Sequence, residues 1–129
     1  MDKEIIYTGK SELIVIEQGQ YKDVKYAILN RGHFPVAYVE NILRVDDYTD
    51  DILRNIDVHC GFTYCGPAYW DKKENSSFVG WDYGHICDYT VFCDYVWNEG
   101  KKWTYEEILK EVFCVIDQLL EKRDENLDR

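Results

Sequence analysis

Apolar and polar positions follow two different periods along the chain, and the change between them divides it. Up to residue 97 the apolar residues come in short runs. Ile5-Ile6-Tyr7-Thr8 and Leu13-Ile14-Val15-Ile16 are rich in β-branched side chains. Gly9-Lys10-Ser11 turns between them, and Gln18-Gly19-Gln20 closes the second. From residue 21 to 30, Val24, Tyr26 and Ile28 alternate with Asp23, Lys25 and Ala27, the period of a strand with one buried face. Asn30-Arg31-Gly32-His33-Phe34-Pro35 is punctuated by glycine and proline and reads as a loop, after which residues 35–39 resume strand character.

The acidic run Asp46-Asp47-Tyr48-Thr49-Asp50-Asp51 predicts a solvated connection with one helical turn beginning at Thr49 or Asp50. It lacks the glycine and the final glutamate of an EF-hand loop. Val58, Phe62 and Tyr64 predict a strand interrupted at Gly61. Residues 63–70 and 78–82 then pair as a hairpin across the polar segment 71–77. Residues 91–97 form one more β-prone run, turned away by Asn98-Glu99-Gly100.

Beyond residue 104 the period becomes helical. Ile108, Val112, Val115, Ile116 and Leu119 recur at spacings of three and four, with Leu109, Phe113 and Leu120 widening the stripe. Thr104-Tyr105-Glu106-Glu107 is a capping box that starts this helix. Lys122 and Arg123 complement its dipole near the end, and residues 124–129 fray. The expected fold is α+β: a single domain over residues 1–129, with an antiparallel sheet of about five to seven strands. One long C-terminal helix, about residues 104–122, packs across one face.

Composition narrows the function classes. A formal net charge of −10 disfavours DNA or RNA as a partner, because phosphate neutralisation needs a basic face. No apolar run approaches the roughly 20 residues that span a bilayer, and Met1-Asp2-Lys3-Glu4 is not a signal peptide, so a cytoplasmic protein is expected. The cysteines, Cys60, Cys65, Cys87, Cys93 and Cys114, form no C-x-x-C pair. They read as reduced thiols, mostly small buried apolar residues.

Candidate chemistry concentrates in residues 57–88. His59, Asp82, His85 and Asp88 are two imidazoles and two carboxylates, groups that ligate zinc, manganese or iron and also serve as general acid and base. His85 and Asp88 lie three residues apart, close enough to share a turn. A structural role is equally open, with Asp82 and His85 hydrogen-bonding backbone amides around Gly80 and Gly84. Trp81, Tyr64, Tyr83 and Tyr89 suit stacking against a base. Arg31 and His33 can face an anion from their loop or belong to a solvated turn. Cys60 beside His59 is a poor nucleophile pair, because neighbours on a strand point to opposite faces. Phosphate-loop and dinucleotide fingerprints are absent from the sequence.

Val58-His59-Cys60-Gly61-Phe62-Thr63-Tyr64-Cys65-Gly66 and Val79-Gly80-Trp81-Asp82-Tyr83-Gly84-His85-Ile86-Cys87-Asp88 resemble two motifs of a family of small acidic proteins from phage and prophage genomes. Those motifs run V-H-G-G-[LI]-T-[YF]-[AS]-G and [IV]-G-F-D-x-x-H-x-G-D, followed by a C-terminal helix. The resemblance takes in Gly32 to Val39 and the helix from Tyr105, and so covers most of the chain after residue 30. Cys60 and Cys87 depart from it, standing where the family tends to have glycine. The resemblance implies a phage accessory protein in the cytoplasm of an infected or lysogenic bacterial host, and by analogy one that blunts host defence by capturing a nucleotide signal.

Three functional classes follow. The first is a protein that sequesters, without turnover, a small anionic ligand of cyclic nucleotide or cyclic ADP-ribose type. Its ligand-binding residues are His59, Thr63, Tyr64, Trp81, Asp82, His85, Asp88, Arg31 and His33, with no catalytic residue and no cofactor. A homo-oligomer is expected to help enclose the ligand. The second is a metal-dependent hydrolase or phosphodiesterase holding a divalent ion on His59, Asp82, His85 and Asp88. The third is an acidic inhibitor that docks on a host defence protein.

Overall fold

The computed structural model describes residues 3–92, 95–97 and 99–127. Five strands form one antiparallel sheet: β1 (Ile14–Tyr21), β2 (Val24–Asn30), β3 (Pro35–Glu40), β4 (Tyr64–Pro67) and β5 (Ser77–Asp82), in the order β1-β2-β3-β5-β4. A short hairpin, β6 (Thr90–Phe92) and β7 (Tyr95–Trp97), stands apart from it. The helix α1 (Tyr105–Leu127) crosses one face of the sheet. The α+β expectation is met.

The first hairpin turns two residues later than the glycine suggests. Gln18, Gly19 and Gln20 lie inside β1, and the chain reverses at Lys22-Asp23 with Tyr21 paired to Val24. Both turn residues have positive φ, 50° and 65°, which matches the right-handed twist of the strands they join. Residues 5–8 are not a strand. Ile5 enters the core, while the Ile6 carbonyl accepts from Asn30 Nδ2 at 2.5 Å, so side-chain bonding replaces a ladder. The single run expected over 91–97 is a hairpin instead. Asn98, placed in the turn after it, lies outside the described residues. The helical turn after Thr49 forms at Asp51–Leu53, with the Asp50 carboxylate accepting from Ile52 N at 3.0 Å.

Alternation in β2 predicts one buried face, yet both are covered. Towards α1 lie Val24, Tyr26, Ile28, Ala37, Val39, Val79 and Trp81, packed against Ile108, Val112, Val115, Ile116 and Leu119. Each such aliphatic side chain contributes about 1.5–3 kcal/mol by leaving water. On the opposite face lie Ala27, Leu29, Val36, Tyr38 and Phe78, covered by Ala68 and Trp70 from the segment after β4. Trp70 stacks on Tyr38 at 4.4 Å and donates to Gln18 Oε1 at 3.2 Å. A local hydrophobic pattern records Ala27 and Leu29 but not the distant loop that folds over them.

The capping box holds. Glu107 N donates to Thr104 Oγ1 at 3.2 Å, and Thr104 N to Glu107 Oε1 at 3.1 Å. The helix continues to Leu127, so Lys122 and Arg123 do not sit in its last turn; they pair with Glu125 and Asp124, each at 3.7 Å. Glu17 ties the sheet edge to the helix start by accepting from Tyr105 Oη at 2.5 Å, Tyr26 Oη at 3.1 Å and Lys3 Nζ at 3.1 Å. Burial pushes its pKa up, but these donors outweigh burial and hold it below the usual glutamate range. Among the described residues no helix is long and apolar enough to cross a membrane.

None of the described cysteines is a buried core residue. Cys60, Cys87 and Cys114 are exposed and Cys65 is half-buried; Cys93 lies outside the described residues.

Candidate functional site

Two turns build the site, one on each side of the β4–β5 hairpin. The first is residues 58–61, closed by Gly61 N donating to the Val58 carbonyl at 3.0 Å. Cys60 and Gly61 both have positive φ, 56° and 82°. The interrupted strand expected here is therefore a turn, and strand geometry begins only at Tyr64. The consequence is chemical. A strand would send His59 and Cys60 to opposite faces, whereas this turn brings Cys60 Sγ to 3.7 Å from His59 Nε2.

The second turn follows β5. Asp82 Oδ1 accepts from Gly84 N at 3.0 Å, and Asp88 Oδ2 from His85 N at 3.0 Å, while Asp88 N donates to the His85 carbonyl at 2.9 Å. Two carboxylates thus shape one loop from opposite ends, which meets the structural role weighed for Asp82. His85 takes part through its backbone.

Asp88 is completely buried. Besides the His85 amide, its carboxylate accepts from Trp103 Nε1 at 2.9 Å and from His59 Nε2 at 2.9 Å. The imidazole of His59 stacks on Tyr83 with ring centres 4.8 Å apart and planes at 13°. Its backbone N–H donates to Glu111 Oε2 at 2.9 Å, and Glu111 Oε1 accepts from the Tyr83 hydroxyl. Trp81 Nε1 donates in turn to that hydroxyl at 2.9 Å. Burial first, then the Glu111 carboxylate, drive the Tyr83 phenol well above its ordinary pKa, so it stays a neutral donor. The network fixes the ring position of His59.

Asp82 is placed differently. Its Oδ2 accepts from Thr63 Oγ1 at 3.0 Å, and Oδ1 lies 3.2 Å from His85 Nε2. That second approach is an ion-pair contact without hydrogen-bond geometry, and the buried Nε2 has no hydrogen-bond partner among the described residues. Asp82 also lines a hollow of about 180 Å³ on the sheet face away from α1, together with Arg31, Phe34, Val36, Tyr38, Thr63, Tyr64 and Trp81. Tyr64 meets Tyr38 edge to face at 5.2 Å, and the Arg31 guanidinium lies 6.0 Å from the Tyr69 ring centre. The Tyr38 and Tyr69 hydroxyls share a hydrogen bond. Burial is the largest cause raising the Tyr38 pKa, ahead of that bond.

Gly80 is where this arrangement needs a missing side chain. A Cβ there would stand 2.3 Å from Tyr38 Cδ1 and 2.8 Å from the Ala37 carbonyl oxygen, so only glycine lets the ring lie against β5.

The sequence-proposed residues therefore divide. Arg31, Thr63, Tyr64, Trp81 and Asp82 share the hollow. His59, Asp88 and, more loosely, His85 form the cluster behind it, with the two imidazole centres 5.8 Å apart. His33 joins neither group: its ring packs at 4.5 Å on Phe92 and its carbonyl accepts from Val91 N. Trp81 and Tyr83 are buried, so their rings support the site from within. Tyr89 packs edge-on against Tyr7 at 4.9 Å. The aromatic rings that face the hollow include Phe34 and Tyr38, which sequence reasoning missed. Their signal was the β3 period, which puts Val36 and Tyr38 on one face. Trp103 and Glu111 also escaped notice, since nothing local marks them as partners of Asp88 and His59.

The metal set of His59, Asp82, His85 and Asp88 does not close as one cage. Among the described residues the ligand atoms that converge, all within 4.8 Å of one another, belong to His59, Cys60 and Cys87. Burial pushes the Cys60 thiol up to about 11, with the Cys87 thiol and the Asp88 and Asp82 carboxylates acting in the same direction. A thiol so protonated at neutral pH is no activated nucleophile.

Compared with protein-family models, curated proteins and solved structures, the chain matches none.

Proposed function

We propose that this chain binds a small anionic, nucleotide-derived ligand at the hollow on the sheet face away from α1 and holds it without turnover. The observation that carries the reading is the lining itself. Arg31 offers a guanidinium for a phosphate, Asp82 and Thr63 offer acceptors for an amine or a ribose hydroxyl, and Phe34, Tyr38 and Tyr64 offer rings for a base. Sites for small molecules combine an apolar, aromatic lining with a few fixed polar groups in this way.

Size adds a second element. A hollow of about 180 Å³ falls below the roughly 300–1,000 Å³ that encloses a drug-sized molecule. It takes in one part of a nucleotide, and a second copy of the chain completes the enclosure in a homo-oligomer. The resemblance to phage and prophage proteins supports a host-defence signal of cyclic nucleotide or cyclic ADP-ribose type as the ligand.

The test is to incubate ligand-free protein with a panel of cyclic nucleotides and cyclic ADP-ribose isomers, filter, heat-denature and identify what is released. Intact ligand from the wild type and none from Arg31→Ala is the expected result. A cleaved product moves the chain to the hydrolase class. No depletion of any compound overturns the reading and leaves an acidic inhibitor of a host protein in front.

A further inference from the structure

We infer that His59, Cys60 and Cys87 form a binding site for one thiophilic divalent ion of the zinc class. Two sulfurs and an imidazole nitrogen within 4.8 Å of one another are the donor set that such an ion prefers over magnesium or calcium. With Zn–S near 2.3 Å and Zn–N near 2.0–2.1 Å, tetrahedral ligands stand about 3.5–3.8 Å apart. Cys60 Sγ and His59 Nε2 are already 3.7 Å apart, the length of one edge of that tetrahedron.

The surroundings suit a cation. Asp88 places a buried carboxylate 2.9 Å from His59 Nε2 and 3.9 Å from Cys87 Sγ. An ion on Nε2 takes the direction in which the ring now meets Asp88, so the imidazole proton moves to Nδ1 and the Asp88 carboxylate turns aside to stand next to the ion as an anion. Stacking on Tyr83 and the Glu111 bond to the His59 amide keep that ring in place through the exchange. Cys60 and Cys87 are exposed residues, so an ion can enter from solvent and keep an open position there.

Backbone strain points the same way. Cys60 holds a left-handed φ of 56°, which costs a side-chain-bearing residue of this kind and which glycine adopts freely. The fold sets this thiol and that of Cys87 beside the same imidazole.

The experiment uses the full chain, reduced and metal-free, titrated with cobalt(II) and then zinc(II). One equivalent of cobalt should give thiolate-to-metal charge-transfer absorption and tetrahedral ligand-field bands, and zinc should displace it stoichiometrically. Cys60→Gly combined with Cys87→Gly should abolish both signals while the far-ultraviolet circular dichroism stays unchanged, since glycine is compatible with the turn. Cys114→Ser, on the exposed helix surface, should leave them intact. Cobalt spectra without thiolate character, or identical spectra in the double variant, overturn the site. The inference does not depend on the nucleotide reading: Arg31→Ala should keep cobalt binding, and the double glycine variant should keep the hollow.

Discussion

The two faces of the sheet are built from the same strands and do different work. Ile28 and Leu29 are neighbours on β2 and both are fully buried, one beneath α1 and the other beneath an aromatic layer. The helix face is sealed chiefly by the branched aliphatic side chains of α1, packed on β-strand residues that include Tyr26 and Trp81. The opposite face carries an aromatic layer of Tyr38, Tyr64, Tyr69, Trp70 and Phe78, rings that meet edge to face or stacked. A hollow edged by Arg31 and Asp82 remains beside that layer. In the proposed reading, stability and binding fall on opposite sides of one sheet.

The largest expected effect tests that assignment directly. Ile28→Ala should lower the unfolding free energy by about 4 kcal/mol, near the upper part of the range for buried aliphatic truncation, because the helix and sheet cannot close the cavity. Leu29→Ala should cost about 2–3 kcal/mol, since the segment carrying Ala68 and Trp70 is a loop free to settle. Urea titrations of both variants give the comparison. Equal losses would mean that the two faces are equally rigid.

How far this division was legible follows from the range of each interaction. The helix face was readable because its signals are local: the stripe from Ile108 to Leu119, and the box from Thr104 to Glu107. The aromatic cover was not, because Trp70 meets Tyr38 across more than thirty residues and no short window contains both. The site shows the same contrast. The contact of His85 with Asp88 lies within one turn and was visible as a spacing, and Asp88 Oδ2 accepts from His85 N. The burial of Asp88 against Trp103, and the grip of Glu111 on His59, depend on where α1 lands. Cys60 was misread for a local reason: its left-handed φ, unusual outside glycine, turns what looks like a strand into a corner.

A smaller effect sharpens the helix side. Thr104→Ala removes the hydroxyl that accepts from Glu107 N and should cost about 1 kcal/mol. Thr104 lines none of the hollow, so ligand affinity of the folded variant should match the wild type. An unchanged urea midpoint would show that the cap contributes nothing, and altered affinity would show that the two faces are coupled.

The smallest stability change should accompany the largest binding change. Arg31 is exposed and its guanidinium rests 6.0 Å from the Tyr69 ring, so Arg31→Ala should move the unfolding free energy by no more than about 0.5 kcal/mol. If a ligand phosphate sits against it, the lost charge-assisted hydrogen bonds are worth about 1.5–3 kcal/mol, roughly a tenfold to hundredfold weaker affinity. Arg31→Lys separates geometry from charge. Lysine restores the positive charge but not the planar pair of donors, so affinity should recover only in part. Recovery to the wild-type value would make Arg31 a general attractor of anions, and no loss in either variant would remove the phosphate from this end of the hollow. Calorimetric titration of the three proteins, beside their urea midpoints, places each on the stability axis and the binding axis together.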